Sequence, residues 1–184
     1  MILLRHGQSQ FNLHFSATRQ DPGIEDPTLT PAGHEQAVAA AQALADRNLS
    51  RLIVSPYTRT LQTAAPMLAQ RELTIEIEPL IRERYAFTCD IGSGRGILAA
   101  RFPDHDFAHL TDPWWPDRIE TEASVIGRAA AFRERMAARE DWRETLVVSH
   151  WAFILALTGQ SLMNGQWIEY DPRGAPPGEL RWHP

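Results

Sequence analysis

Two histidines, two arginines and a glutamate carry the side chains best suited to chemistry in this sequence: Arg5, His6, Arg59, Glu83 and His150. Each stands at or shortly after the end of a short apolar run. Guanidinium groups grip the oxygens of a phosphate or carboxylate, and imidazole can act as a nucleophile. A serine-histidine triad would need its histidine oriented by a buried carboxylate, and this set is too cationic for that. The residue types favour chemistry on a phosphoryl dianion.

The needs of phosphoryl transfer give each of these residues a role. A transferring phosphoryl group spreads its charge over three oxygens, so Arg5, Arg59 and His150 would stabilise it. A neutral His6 would be the nucleophile. Glu83 would protonate the leaving alcohol and then activate water, although another carboxylate in the segment that follows could share or take this role. Because arginines would neutralise the charge, we expect no metal ion and no cofactor.

Four apolar runs must position these residues, and they predict β-strands at 2–4, 51–54, 73–77 and 145–148. Runs rich in Ile, Leu and Val suit strands that are buried on both faces of a parallel sheet. The run at 73–77 alternates apolar and polar residues, which is typical of an edge strand with one solvated face. Ligands of open α/β sheets bind outside the carboxyl ends of the strands, so the residues that follow the runs would converge on one rim.

Amphipathic patterns between the runs predict helices. They lie at about 31–46, 59–71, 122–140 and 150–158. Thr30 is a good cap for the first helix, and Pro66 would kink the second or shift its limits. The last helix would end at Gly159. The buried stripe of the first helix is predicted to consist of Val38, Ala41, Leu44 and Ala45.

The alternation of strands and helices predicts the α/β class, as a three-layer α/β/α sandwich with a mostly parallel central sheet. The length of 184 residues suits a single domain over 1–184. Residues 85–118 are rich in Gly and Pro and would form an insertion or lid, with at most one short helix near 97–102. The chain would return as a last strand at 179–182.

The basic residues narrow the function classes, since all 18 are arginine and none is lysine. A Schiff base, bound pyridoxal phosphate and the lysine-containing phosphate loop are therefore excluded. The formal net charge of −5 disfavours nucleic acid as a partner. The single cysteine, Cys89, allows no internal disulfide, and no apolar run suits a signal peptide or a membrane span. We expect a cytoplasmic protein that binds neither nucleic acid nor membrane.

Several ordered motifs resemble those of a known family. Leu4-Arg5-His6-Gly7-Gln8-Ser9 with Asn12 resembles the Arg-His-Gly signature of the histidine phosphatase superfamily, also called the phosphoglycerate mutase-like family. Further matches lie at 29–37, 55–64, 81–83 and 147–150. The resemblance implies a phosphoglycerate mutase-like fold, a phosphohistidine intermediate at His6 and Glu83 as proton donor. It also implies a phosphate pocket formed by Arg5, Asn12, Arg59 and His150.

Two departures from the family pattern concern the shape of the substrate. Trp151 follows His150, where family members often have glycine, and residues 85–93 lack the usual Gly-Trp-Gly pattern. Both lie outside the phosphate pocket, so the reaction class is unaffected. Selectivity for the substrate would lie in 85–118 and around Trp151.

The sequence therefore favours a metal-independent phosphatase that hydrolyses a phosphomonoester of a small metabolite. A mutase-type phosphoryl transfer, and a non-catalytic module that binds a phosphorylated ligand, are the alternatives. The pair Trp114-Trp115 would suit the core, a homodimer interface or a lid over the substrate. His105 and His109, with neighbouring aspartates, could also suggest a metal site, which the proline-bounded loop around them disfavours.

Overall fold

A five-stranded sheet lies at the centre of the computed structural model, which describes residues 1–182. The strands are β1 (Ile2–Arg5), β2 (Arg51–Val54), β3 (Thr74–Ile77), β4 (Thr145–Ser149) and β5 (Trp167–Glu169). Their order is β3-β2-β4-β1-β5, with β5 antiparallel to β1 and the other neighbours parallel. The four predicted strands are confirmed, and β3 lies at an edge as its pattern indicated. His183 and Pro184 lie outside the described residues.

Helices cover both faces of the sheet. Within residues 1–182 they are α1 (Gln10–Thr18), α2 (Pro31–Ala43), α3 (Thr58–Gln70), α4 (Arg95–Arg101), α5 (Glu122–Ala137) and α6 (Trp151–Thr158). Alternate strand residues point to opposite faces, so Leu52 and Val54 pack with α2, α3 and α4, whereas Ile53 packs with α5 and α6. The predicted three-layer α/β/α sandwich is confirmed.

The register of the strands brings two candidate residues to one level. Arg5 pairs with Ser149 across β1 and β4. His6 and His150 are the next residues along the chain, so they leave the sheet side by side at its carboxyl edge. Val54 pairs with Val148 in the same sheet, which places the end of β2 beside them.

The buried stripe of α2 differs from the predicted one. Val38 is 43% exposed, and Ala45 is exposed beyond the end of the helix, so the prediction is wrong for both. Gly33 lies against the backbone of Gln8, and this contact fixes which side of the helix faces inward. The buried positions follow from it at spacings of three and four: Gly33, Ala37, Ala40, Ala41 and Leu44.

The strand predicted at 179–182 is wrong, because those residues form no strand. The last strand is β5, and its three residues give too short a pattern to predict. Hydrogen bonds to β1 set its place: Arg5 N–H donates to Gln166 O, and Tyr170 N–H donates to Met1 O. Helix α1 was also unpredicted, because Phe11 is its one buried residue and it has no apolar stripe.

The other predicted helices are confirmed. Helix α3 continues through Pro66 to Gln70. Helix α5 buries the apolar face expected of it, and α6 ends at Gly159 with a φ of 75°, a left-handed conformation that glycine adopts readily.

Residues 85–118, the segment predicted to be an insertion, contain α4, the short helix expected near 97–102. Trp114 is buried in the core, where its ring centroid lies 4.7 Å from that of Tyr57 and its indole N–H donates to Ser93 O. A side chain at Gly92 would overlap the Trp114 ring, so this loop needs glycine. Trp114 is therefore a core residue. No helix within residues 1–182 is both long enough and apolar enough to span a bilayer.

Candidate active site

The carboxyl ends of β1, β2 and β4 gather two histidines and an arginine in a buried cluster. His6, Arg59 and His150 are each almost fully buried, and the centroids of the two imidazole rings lie 5.2 Å apart. The structure thus brings together three of the residues predicted from sequence. Their position follows from the strand register, since all three lie within a few residues of a strand end.

One hydrogen bond determines which nitrogen of His6 can react. Nδ1 lies 2.7 Å from the carbonyl oxygen of Gly7. A carbonyl only accepts, so Nδ1 carries the proton and Nε2 keeps its lone pair. Burial, with the charges of Arg59 and Arg5, holds the pKa of His6 well below its usual value. The imidazole is therefore neutral at physiological pH and presents a free nucleophilic nitrogen.

His150 has one engaged and one free ring nitrogen. Nε2 lies 2.8 Å from Oγ of Ser55, whose hydroxyl can donate or accept. Within residues 1–182, the buried Nδ1 has no hydrogen-bond partner. Burial, followed by the charge of Arg59, lowers the pKa of His150 well below its usual value. Nδ1 is thus the ring nitrogen that the described residues leave unpaired.

Arg59 lies in the first turn of α3 and is already held by the insertion. Nη1 donates to Cys89 O at 2.8 Å, and Nη2 lies 3.4 Å from Oδ1 of Asp90. The guanidinium carbon lies 4.1 Å from the centroid of the Tyr57 ring. Burial opposes its charge, but Cys89 and Asp90 more than offset this and raise the pKa of Arg59. The guanidinium is therefore charged and firmly oriented.

Asp90 is a site residue that the motifs did not identify. Its Oδ2 accepts from the backbone N–H groups of Ala86 and Phe87, and Tyr57 donates its hydroxyl to Asp90 O. Burial raises the pKa of Asp90 to about 6, against the opposing effect of Arg59. The sequence indicates only that some carboxylate in the segment after Glu83 could share or take its role as proton donor. Asp90 ties the start of the insertion to the buried cluster.

Arg5 and Asn12 are both anchored by the segment that precedes β5. Arg5 donates from Nη1 to Leu162 O at 2.6 Å, while its buried Nε has no partner in the described part of the chain. Burial lowers the pKa of Arg5 to about 10, so it is still charged at neutral pH. Oδ1 of Asn12 accepts from Ser9, and from Asn164 at 3.1 Å. Leu162 and Asn164 were not found from sequence, because no local pattern marks them.

Glu83 is placed against the start of α6. Its Oε1 accepts from the N–H of Ala152 at 2.9 Å and from the N–H of Arg84 at 2.9 Å. Ala152 follows Trp151, which follows His150, so the carboxylate lies close to the histidine in the fold. Trp151 donates its indole N–H to Ser161 Oγ. The five residues predicted to do chemistry therefore all lie at one end of the sheet.

Gly7 lies where backbones approach closely. A Cβ at this position would overlap the carbonyl oxygen of Gly33 at the start of α2. The N–H of Gly7 donates to Thr63 Oγ1 at 3.0 Å, which ties the loop to α3 as well. Glycine is required here by space, and the loop that carries His6 is held rigidly between two helices.

The histidines of the insertion lie elsewhere. Nε2 of His109 lies 2.8 Å from Ile77 O at the edge strand, and His105 stacks on Phe102. Within residues 1–182, no three side chains of the metal-binding types gather into a site.

Comparisons with known proteins identify the family of this chain. The model of the histidine phosphatase superfamily (branch 1) matches residues 1–173. Glucosyl-3-phosphoglycerate phosphatase of Mycolicibacterium vanbaalenii is 29% identical over 88% of this chain and 73% of its own. Phosphoserine phosphatase 1 of Hydrogenobacter thermophilus is 29% identical over 80% of this chain and 68% of its own.

A solved structure shares the fold. Mycobacterial glucosyl-3-phosphoglycerate phosphatase superposes with a TM-score of 0.62 at 22% identity, covering 91% of this chain and 87% of that chain. The family match spans nearly the whole sequence and includes the loop of His6, the turn of Arg59 and the end of β4. This chain therefore belongs to the histidine phosphatase superfamily.

Proposed function

We propose that this protein is a phosphomonoesterase that works through a phosphohistidine at His6, without a metal ion, on a small phosphorylated metabolite. The observation that carries the proposal is the hydrogen bond between Nδ1 and Gly7 O, which leaves Nε2 unprotonated among buried cations. Phosphatase activity is supported by family membership and by relatives named as phosphatases. With a single cysteine and no disulfide, the chain suits the cytoplasm.

The reaction would take two steps. Nε2 of His6 attacks phosphorus, the bond from phosphorus to the ester oxygen breaks, and Glu83 gives its proton to the departing alkoxide. Arg5, Arg59 and Nδ1 of His150 stabilise the charge on the transferring group. In the second step Glu83 takes a proton from water as the water attacks the phosphohistidine. Inorganic phosphate leaves, and His6 and the acid form of Glu83 are restored.

The test combines an activity assay with trapping of the intermediate. His6→Ala should lower kcat on an aryl phosphate by at least about a thousandfold, because the nucleophile is gone. Brief exposure of the wild type to ³²P-labelled substrate should leave an acid-labile, base-stable label on the protein, and EDTA should not prevent it. His34→Ala is the matched control, since His34 is exposed on α2. Full activity in His6→Ala, or activity that EDTA abolishes, would overturn the proposal.

The same assay separates hydrolysis from mutase-type transfer. A panel of phosphorylated metabolites should release inorganic phosphate, and phosphoserine and glucosyl-3-phosphoglycerate belong in it because two relatives carry those names. A mutase would instead return the phosphoryl group to a second hydroxyl of the substrate. A silent binding module would bind members of the panel and release no phosphate.

A further inference from the structure

A buried arginine outside the cluster contacts the turn that carries Glu83. Arg128 lies on α5 and is 7% exposed. Burying a guanidinium is unfavourable unless it is paired with an acid and its N–H groups are hydrogen-bonded. Its partner is Glu120, which it grips with two hydrogen bonds, from Nε at 2.9 Å and from Nη2 at 3.0 Å.

The remaining donors of Arg128 all go to the backbone of one turn. Nη1 donates to Leu80 O at 2.9 Å and to Arg82 O at 2.7 Å, and Nη2 donates to Glu83 O at 3.2 Å. A guanidinium has five N–H donors, so every one of them is used. A side chain needed for charge neutralisation alone would not require three carbonyls from neighbouring residues. The planar guanidinium, by binding three carbonyl groups at once, instead fixes the backbone conformation of residues 80–83.

Glu120 fixes the other side of the same turn. Its carboxylate accepts from Arg82 at 3.1 Å. The hydrogen bonds and charge of Arg128, with the charge of Arg82, hold the pKa of Glu120 below its usual value against the effect of burial. Its backbone also takes part, since its N–H donates to Tyr85 O and its carbonyl accepts from Arg84 Nε. The pair therefore holds the chain on both sides of Glu83.

We propose that Arg128, together with Glu120, is a positioning residue that sets where the Glu83 carboxyl meets the leaving group. This inference rests on the proposed role of Glu83 as the proton donor. The side chain of Glu83 is tied to Ala152, but its backbone is fixed by Arg128. Displacement of a catalytic group by about 1 Å can cost about a hundredfold in rate. Lysine at position 128 would keep the charge but lose the planar fork that reaches three carbonyls.

The experiment compares two leaving groups. Departure of 4-nitrophenolate needs little protonation, whereas departure of an alkyl alkoxide needs a proton from the acid. Arg128→Lys should lower kcat on an alkyl phosphate at least about tenfold more than kcat on 4-nitrophenyl phosphate, with KM changed less than about threefold. Arg133→Lys is the control, because Arg133 lies on the same helix beside Tyr170 and should leave both rates unchanged.

Further variants distinguish this inference from the proposed function. Glu83→Gln should show the same dependence on the leaving group, and Arg128→Lys added to it should cost nothing more. A uniform loss on both substrates in Arg128→Lys, or additive losses in the double variant, would mean a structural role only. If Glu83→Gln itself shows no such dependence, both the role of Glu83 and the positioning inference fail. Should Arg128→Lys not fold, Glu120→Asp shortens the same pair by one methylene and must give the same pattern.

Discussion

The narrow space around Gly7 makes this residue the most sensitive position of the His6 loop. A methyl group there would meet the carbonyl oxygen of Gly33, and backbone on both sides cannot yield easily. Gly7→Ala should lower the free energy of unfolding by about 1–3 kcal/mol through overpacking. It should also displace the carbonyl that holds Nδ1 of His6, with a loss of about a hundredfold in kcat/KM. Thermal unfolding and steady-state kinetics measure the two effects.

Gly127 provides the matched control for Gly7. It lies inside α5, and a Cβ there would meet nothing within 4 Å. Gly127→Ala should stabilise the protein by about 0.5–1 kcal/mol, because alanine favours the helix, and leave kcat/KM unchanged. A Gly7→Ala variant with the melting temperature and the activity of the wild type would contradict the steric explanation.

At the residue scale, the candidate site could be predicted wherever a residue ends a strand or directly follows one. His6, Arg5 and His150 are of this kind, since a strand end fixes their place in the fold. The partners of Arg59 could not be predicted, because Cys89 and Asp90 reach it only when the insertion folds back over some 30 residues of sequence. Long-range backbone contacts of this type leave no local pattern.

At the scale of the elements, α5 holds one face of the sheet through a large aromatic side chain. Phe132 is 0% exposed, and its ring centroid lies 5.6 Å from that of Phe153 in α6, at an angle of 76°. Phe132→Ala should cost about 3–5 kcal/mol in the free energy of unfolding, from lost burial and the remaining cavity. The measurement is urea denaturation at 25 °C. Below the unfolding transition, KM should match that of the wild type, because Phe132 lies in the core and not in the site.

Ile126 is the control on the same helix. It is 42% exposed, so Ile126→Ala should change the free energy of unfolding by less than about 1 kcal/mol. Equal decreases in the free energy of unfolding of the Phe132 and Ile126 variants would show that the buried face of α5 does not hold the helix against the sheet.

Elements with a sustained apolar pattern could be predicted, and those stabilised by distant partners could not. Helix α5 shows its stripe in the sequence, whereas α1 depends on a capping box between Ser9 and Asn12. In α2 the apolar residues recur at helical spacing, but the sequence does not indicate which side of the helix faces inward. The contact of Gly33 with the backbone of Gln8 sets this rotation. Strand β5 is held by hydrogen bonds to β1, which lies at the other end of the chain.

At the scale of the whole molecule, alternation of strands and helices was enough to predict the layers but not the order of the strands. The order β3-β2-β4-β1-β5 places the last long strand between the first two, which nothing local specifies. That insertion of β4 between β1 and β2 is what brings His150 beside His6. The geometry of the cluster is thus a property of the topology.

The two buried histidines should make the stability of the whole protein depend on pH. Both have a folded-state pKa well below 6.5, because burial and nearby arginines disfavour the charged ring. Between that low pKa and 6.5 the unfolded chain binds the protons and the folded protein does not. Their contribution is therefore complete above about pH 6.5 and is lost as the pH falls, by about 1.4 kcal/mol per pH unit for each histidine.

Asp90 acts in the opposite direction over the same interval. Its pKa is raised to about 6 in the folded state by burial, so the folded protein binds this proton first and gains stability as the pH falls toward about 4. Near pH 5 the loss of stability from His6 and His150 is therefore half offset by the gain from Asp90. The net effect of these three groups near pH 5 is therefore a loss of about 1.4 kcal/mol per pH unit.

Urea denaturation between pH 6.5 and 4.5 can separate the three groups. His150→Asn removes one loss, so near pH 5 its slope should be smaller than that of the wild type by about 1.4 kcal/mol per pH unit. Asp90→Asn removes the gain, so its slope should be larger than that of the wild type by about 1.4 kcal/mol per pH unit. His34→Asn should keep the slope of the wild type, since His34 is exposed. If His150→Asn and the wild type show the same dependence of stability on pH, His150 is not held neutral by its burial and by the charge of Arg59.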